Sequence, residues 1–131
     1  MKLTKVMLLL LAIGTLAAAQ EVYRCRFSAG ELAEWQLGEQ ARGVELDGDP
    51  ALEVRIPAGQ TATYFVGRPF PIEQYCGKWL NMTCKIRFEN VTQPPDNWNG
   101  TKFMLIYKKG DGATSWIHPA GQYGSSDWQL V

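Results

Sequence analysis

The chain has 131 residues, in which 13 Lys and Arg residues balance 13 Asp and Glu residues. That balance provides no basic surface for nucleic acid or for an anionic membrane, so neither is predicted as a partner. The length is sufficient for one domain of ordinary size and too short for two.

The first 19 residues have the three-part pattern of a secretion signal. Lys2 and Lys5 give a positive start, an apolar run follows, and Ala17–Ala19 supplies the small residues that a signal peptidase recognises. The apolar run is short for a bilayer span, which favours a cleaved signal over a membrane anchor. Residues 1–19 are therefore predicted to be a signal peptide, and the protein to be secreted, to the cell exterior or the periplasm.

Residues 20–131 are predicted to form one domain. Removing Lys2 and Lys5 with the signal leaves 11 basic and 13 acidic residues, a net charge of −2. In the first half of this domain, short alternating apolar and polar runs are separated by Gly, Pro and Asp, which is typical of strands and turns. The sequence predicts strands at Val22–Phe27 and Thr61–Val66 and a hairpin of Gly43–Asp47 with Ala51–Ile56. Ser28–Glu34 could form a helical turn but is short, and a loop is predicted there.

The second half of the domain has stronger strand signals. Lys78–Glu89 alternates in period two, with Leu80, Met82, Cys84, Ile86 and Phe88 predicted on one face. Thr101–Lys108 and Thr114–His118 are predicted strands joined by a Gly-rich turn. If Ile106 lies opposite Trp116, these two residues share a face with Met104 and His118. Phe103, Leu105, Tyr107 and Ile117 then form the core face, and a shift of one residue would exchange the two faces.

The count of strands and the lack of a convincing helix after the signal predict an all-β fold. Seven or eight short strands with frequent turns favour an antiparallel β-sandwich or jelly roll. The sequence ends at Asp127–Val131 in what looks like another strand. We therefore expect residues 20–131 to lack the last strand or strands and to be the front part of a longer polypeptide.

The cysteines and several aspartates are candidates for a disulfide or a metal site. In an exported protein, Cys76 and Cys84 are the closer candidate pair for a disulfide, although Cys25 with either is equally allowed. The spacing fits no zinc site. A structural calcium is conceivable at aspartates whose spacing is more typical of turn formers, and no other cofactor is predicted. These aspartates are Asp47, Asp49, Asp96 and Asp111.

Aromatic side chains near amides are the main candidates for a binding site. Sugar binding requires flat rings for the C–H side of a pyranose and planar amide or carboxylate groups for its hydroxyls. The alternative for each Trp is packing in the core or at its rim, and Trp35 and Trp79 are assigned to the core. The predicted ligand-binding residues are Trp98, Asn99, Trp116, His118, Gln122, Tyr123 and Trp128.

No catalytic machinery is predicted in these residues. His118 has no partner nucleophile in an elbow motif, which argues against a triad. The carboxylates are numerous, but the sequence does not place two of them across a cleft as glycoside hydrolysis requires.

Three segments resemble a known family of modules. They are the run Trp98–Leu105, the segment Gly124–Trp128, and the hairpin Gly43–Val54, which fits the second and third strands of that family. Together they resemble the galactose-binding-like jelly-roll carbohydrate-binding modules that precede the catalytic domain of some secreted glycoside hydrolases. The resemblance implies a polysaccharide ligand, a C-terminal catalytic domain in the full-length chain, and a cellulase-like context.

Three hypotheses follow from the sequence. The first is a non-catalytic module that holds β-glycan chains by stacking and hydrogen bonds. The second is a structural sandwich that packs against a catalytic domain or a surface partner without binding sugar. The third, which has the least support, is that these residues belong to a catalytic domain itself.

Overall fold

The computed structural model of the chain describes residues 19–60, 62–96 and 98–131. Residues 1–18, with nearly all of the predicted signal peptide, lie outside the described residues, as do Thr61 and Asn97. The chain divides into two compact units, Met1–Pro69 and Phe70–Val131. In the described residues most regular structure is antiparallel strand and there is almost no helix, so the fold is all-β. None of the helices in this part of the chain is long and apolar enough to cross a membrane.

The first unit is built on the predicted hairpin, which is confirmed. Strand β1 is Ala41–Leu46 and β2 is Asp49–Val54, and they pair antiparallel from Ala41 opposite Val54 to Leu46 opposite Asp49. The connection is the two residues Asp47 and Gly48, both left-handed with φ of 56° and 87°. Two left-handed residues are the requirement of a type I′ turn, whose twist matches that of the strands and fixes their register.

A short helix, α1, spans Ala29–Leu32, where the sequence predicted a loop. The Glu31 carboxylate accepts hydrogen bonds from the Ser28 backbone N–H at 3.0 Å and from the Ser28 hydroxyl at 2.7 Å. These bonds from Ser28, followed by one from the Arg26 backbone, lower the pKa of Glu31. The loop prediction was wrong because the Ser28-x-x-Glu31 pattern, which marks the start of a helix, was overlooked.

The predictions of strands at Val22–Phe27 and Thr61–Val66 were also wrong. None of the described residues in either segment lies in a strand, and Phe27 has a left-handed φ of 57°. Side-chain contacts hold the first segment instead. The Arg68 guanidinium donates to the Tyr23 hydroxyl at 3.0 Å, lies 4.6 Å from the Tyr23 ring centre, and pairs with the Glu34 carboxylate at 2.6 Å.

The core of the first unit lies between α1 and the hairpin. Leu32 and Ala41 are buried. A Cβ placed on Gly43 would lie 2.6 Å from Cδ1 of Leu32, so Gly43 provides the space into which Leu32 packs. Trp35 lies nearby along the chain, half-buried, with its ring 5.4 Å from that of Phe27.

The second unit contains a 3₁₀ turn at Ile72–Tyr75 and four strands. Strand β3 (Lys85–Val91) pairs antiparallel with β6 (Gly124–Leu130), and β4 (Leu105–Lys108) pairs antiparallel with β5 (Thr114–Ile117). Phe88 on β3 is buried and lies opposite Ser126. The β3–β6 ladder is irregular, with register shifts on both sides of Phe88.

The long strand predicted at Lys78–Glu89 forms only from Lys85 onwards. Cys84 extends the pairing by two backbone hydrogen bonds of 2.9 Å with Val131, and residues 77–83, all of them described, lie outside any strand. Gly77 has a left-handed φ of 75° and follows the 3₁₀ turn. Trp79, which was assigned to the core, is fully exposed at 102%. An alternating pattern does not show whether a neighbouring strand is present, and residues 78–83 would need one to form a strand.

The strand predicted at Thr101–Lys108 is interrupted. Leu105–Lys108 pairs with β5, and Thr101 forms an isolated antiparallel bridge with Gln122. Between these pairings, residues 102–104 face residues 118–121, so the second arm carries one extra residue. Pro119 lies in that arm and has no N–H to donate to a ladder, which explains why the strand breaks there.

Candidate functional site

The exposed face of the β4–β5 hairpin is the first part of the candidate site. Ile106 lies directly opposite Trp116, which is the register considered from the sequence. Opposite residues of an antiparallel pair project to the same side, and both are open to solvent, Trp116 at 52% and Ile106 at 42%. Leu105 and Tyr107 on the other side are half-buried. The hairpin therefore presents an indole and an aliphatic side chain together to water.

Polar side chains flank this apolar pair. Lys108 lies opposite Thr114. Lys108 is two residues after Ile106 and Thr114 is two residues before Trp116, so all four side chains share the exposed face. We call these four residues the hairpin face. Ile117, which was predicted in the core, is instead half exposed.

His118 follows β5 and is exposed. Its Nδ1 lies 2.7 Å from the carbonyl oxygen of Pro119, which ties the ring to the backbone just beyond the strand. Because Pro119 breaks the ladder, the predicted placement of His118 and Met104 beside Trp116 is not supported by a regular strand pairing.

The loop that holds Trp98 and Asn99 is brought against the segment that holds Gln122 and Tyr123. The Thr101 N–H donates to the Gln122 carbonyl at 2.9 Å, and the Gln122 N–H donates back to the Thr101 carbonyl at 2.9 Å. Trp98 and Tyr123 are exposed at 61% and 53%. The structure therefore brings together two segments that lie more than 20 positions apart in the sequence, each with two of the predicted ligand-binding residues.

Two glycines permit this close approach. A Cβ on Gly121 would lie 1.7 Å from the Asn99 carbonyl oxygen, and a Cβ on Gly100 would lie 2.8 Å from the Gln122 carbonyl oxygen. Gly100 also has a left-handed φ of 102°. Backbone rather than flexible side chain stands in the way, so only glycine fits at either position.

A further exposed ring is that of Trp128 on β6. Its backbone N–H donates to Oδ1 of Asp127 at 2.8 Å, and the Arg87 guanidinium on β3 lies 5.9 Å from its ring centre. Arg87 is also within 3.5 Å of the Glu89 carboxylate. Trp128, Arg87 and Glu89 therefore form one group on the β3–β6 sheet.

Three residues of these surfaces were missed from the sequence: Arg87, Glu89 and Lys108. Arg87 and Glu89 were assigned only to the polar side of an alternating strand, and Lys108 to the end of one. Their proximity to Trp128 or Trp116 depends on which strand pairs with which, and one-dimensional alternation does not contain that information.

The cysteines and acidic residues were candidates for a disulfide and for a metal site. Cys25, Cys76 and Cys84 are thiols, so the predicted Cys76–Cys84 disulfide is not formed in this structure. Among the described residues, no group of three or more His, Cys, Asp or Glu side chains could hold a metal ion. Asp47 lies in the type I′ turn, and Oδ1 of Asp111 accepts the Ala113 N–H at 2.9 Å, so both aspartates act in turns.

Comparison with known proteins gives no further assignment. No family model, no curated protein and no solved structure matches the chain.

Proposed function

We propose that this chain is a non-catalytic polysaccharide-binding module that holds β-glycan chains by aromatic stacking and hydrogen bonds. The observation that carries the proposal is the exposed pair of Trp116 and Ile106 on the hairpin face. An indole that presents one flat side to water can pack against the C–H side of a pyranose ring, which removes apolar surface of both partners from water.

Polar groups around the rings support the same ligand class. Lys108 and Thr114 flank the Trp116–Ile106 pair, and the amides of Asn99 and Gln122 lie in the loops beside Trp98 and Tyr123. Sugar hydroxyls both donate and accept hydrogen bonds, and these side chains offer both roles. The resemblance of the sequence to jelly-roll modules supports the same ligand class, and under it the hairpins belong to a β-sandwich.

The resemblance also supports the biological setting of the proposal. In that setting the module is secreted and is joined to a glycoside hydrolase domain. Tethering raises the effective concentration of polymer at the active site, so even weak binding is useful. The module contributes no catalytic residue of its own.

A depletion assay with a panel of insoluble and soluble polysaccharides tests the proposal. The full chain is incubated with cellulose, xylan, mannan and β-glucan, and the bound fraction is measured. We expect retention on at least one polymer and a loss of about tenfold or more in affinity for Trp116→Ala, since a central Trp contact is typically worth that much. Retention on no polymer would contradict the proposal.

Trp79→Ala is the matched control. Trp79 is more exposed than Trp116 but lies outside any strand, with no apolar partner opposite it. If exposed indoles merely adsorb to polymers, both variants lose retention equally. If the hairpin face binds sugar, only Trp116→Ala does.

A structural role without sugar binding is the second candidate, and one observation favours it. The first unit has a groove of about 660 Å³ lined largely by apolar groups, including Phe27, Leu32, Leu37, Val44 and Pro50. Apolar surface of this kind is typical of a face that packs on another domain. This candidate predicts that the parent chain is retained on none of the polysaccharides.

A further inference from the structure

The β3–β6 sheet carries a groove that the hairpin face does not include. It is an open, shallow groove of about 470 Å³. The groove lies across the two strands and is lined by Arg87, Phe88, Glu89, Ser125, Ser126 and Asp127. Phe88, the apolar residue of this lining, is buried.

The polar groups of the groove are held in place by neighbours. The Ser125 hydroxyl oxygen accepts the Asn90 N–H at 2.9 Å, and the Ser126 hydroxyl donates to the Asp127 carbonyl at 3.0 Å. Asn90 has a left-handed φ of 54°, at the irregular part of the β3–β6 ladder. The irregular pairing therefore positions Ser125 and Asp127 on the groove.

The charges restrict what the groove can bind. Glu89 and Asp127 repel an anionic ligand, while an apolar ligand would remove water from both carboxylates without offering them a hydrogen bond. No third acidic, His or Cys ligand joins them within the described residues, which argues against a metal ion. Carboxylates accept and a guanidinium donates, so this group matches adjacent hydroxyls, which do both.

An aromatic ring lies close to one of the residues that line the groove. The Arg87 guanidinium, which lines it, lies 5.9 Å from the centre of the Trp128 ring, and Trp128 is partly exposed. A ring beside hydroxyl-binding groups is the arrangement expected for a pyranose.

We propose that the β3–β6 groove is a second saccharide subsite, which takes a neutral sugar through hydroxyl contacts to Arg87, Glu89 and Asp127 beside the Trp128 ring. This inference rests on the proposed function, since it assigns a second contact to the same polymer. Two subsites on one chain add their contributions on a long polymer, which strengthens retention without either subsite binding tightly.

The test uses the full chain and the soluble form of the polysaccharide that it retains, with affinity measured by electrophoresis in a gel that contains the polymer. Glu89→Gln combined with Asp127→Asn removes both negative charges and keeps the side-chain shapes. We expect affinity to fall about tenfold, because hydrogen bonds to charged groups are the stronger ones. Glu73→Gln, an exposed glutamate in the 3₁₀ turn, is the matched control and should leave affinity unchanged.

Independence of the two subsites is tested in the Trp116→Ala background. There, residual affinity is expected to persist, to disappear when Glu89→Gln and Asp127→Asn are added, and to survive the addition of Glu73→Gln. Near-ultraviolet circular dichroism checks that each variant is folded.

The failure of this inference differs from the failure of the proposed function. If Trp116→Ala alone abolishes binding, or if the groove variants bind as the parent chain does, the second subsite is overturned while the hairpin face stands. If the parent chain binds no polymer, both proposals are overturned.

Discussion

The two hairpins of the molecule share a geometry and differ in what they expose. In the first unit, Arg42 lies opposite Glu53, and their side chains form an ion pair of 2.8 Å. In the second unit, the corresponding outward pair is Ile106 opposite Trp116. The first hairpin shows that an outward pair on such a sheet can be charged. An outward Trp–Ile pair is therefore unnecessary for a hairpin of this kind, which favours a role in contacting a ligand.

The connections of the hairpins differ as well. The first closes with two left-handed residues, Asp47 and Gly48, which fix its register. The second closes through the longer loop 109–113, held by a hydrogen bond of 2.8 Å from Lys109 N–H to the Ala113 carbonyl. The register of the second hairpin therefore depends more on side chains and on the Thr101–Gln122 bridge.

The largest expected effect comes from giving the second hairpin the outward pair of the first. In the double variant Ile106→Arg with Trp116→Glu, a charged pair replaces the apolar one on an exposed face. We expect the chain to stay folded, with a stability change within about 1 kcal/mol for a cross-strand pair. Polysaccharide affinity should fall about tenfold or more, as for Trp116→Ala, because the stacking ring is gone. Depletion assays and circular dichroism measure the two results, and a folded variant that binds as tightly as the parent chain would contradict a binding role for the Trp–Ile pair.

A smaller effect is expected on stability when either of two glycines is replaced by alanine, and its size should differ because the added Cβ would meet different atoms. Gly121→Ala would press a Cβ on the backbone oxygen of Asn99, whereas Gly43→Ala would meet only the end of the Leu32 side chain. We expect about 3 kcal/mol of destabilisation for Gly121→Ala and about 1 kcal/mol for Gly43→Ala, since a side chain can move aside and backbone cannot. Urea unfolding measures both.

Gly110→Ala is the control for these variants. Nothing lies within 4 Å of a Cβ placed there, so its cost should be within about 0.5 kcal/mol. Equal costs at Gly121 and Gly43 would show that the approach of the Asn99 loop to Gly121 is not required for folding.

The smallest effect concerns the start of α1 in the first unit. Because hydrogen bonds from Ser28 lower the pKa of Glu31 in the folded chain, its stabilisation is present above the pKa of the unfolded chain. This stabilisation is lost as the pH falls through the folded pKa. We expect Glu31→Gln to weaken the decline in stability on acidification below about pH 5, where a glutamate of the unfolded chain begins to bind its proton.

Glu39→Gln, at an exposed position in the same unit, is the control for the acid effect. It should leave the pH dependence of the urea midpoint close to that of the parent chain. A Glu31→Gln profile that matches the parent chain would show that the Ser28 contacts do not contribute to stability.

The elements that local chemistry specifies were predictable from the sequence. The β1–β2 hairpin was found from an Asp-Gly turn between alternating strands, and β5 from a short run next to a Gly-rich loop. In both cases the information lies within about ten residues. The all-β character follows from the same local signals.

Elements that depend on a distant partner were not predictable. Residues 78–83 alternate as a strand does but have no strand beside them in the described structure, and Trp79 is left exposed. Val22–Phe27 also alternates, yet its Tyr23 contacts Arg68, 45 positions away. Alternation reports which side of a segment is apolar and not whether a partner is present.

The candidate site also has a part that local sequence signals indicate and a part that depends on distant strand pairing. The loop around Trp98 favoured its exposure, whereas the face of Trp116 depended on a register that the sequence left open. The grouping of Arg87 and Glu89 with Trp128 depends on β3 pairing with β6 across almost 40 positions, and no local signal contains that pairing.

The most direct test of the account is to follow the indole N–H signals of Trp116 and Trp35 by nuclear magnetic resonance. The full chain is titrated with a soluble hexasaccharide from the polymer that it retains. If the hairpin face binds sugar, the Trp116 signal shifts progressively and saturates while that of the half-buried Trp35 stays in place. A Trp116 signal that does not move, or one that moves only together with Trp35, would contradict the account.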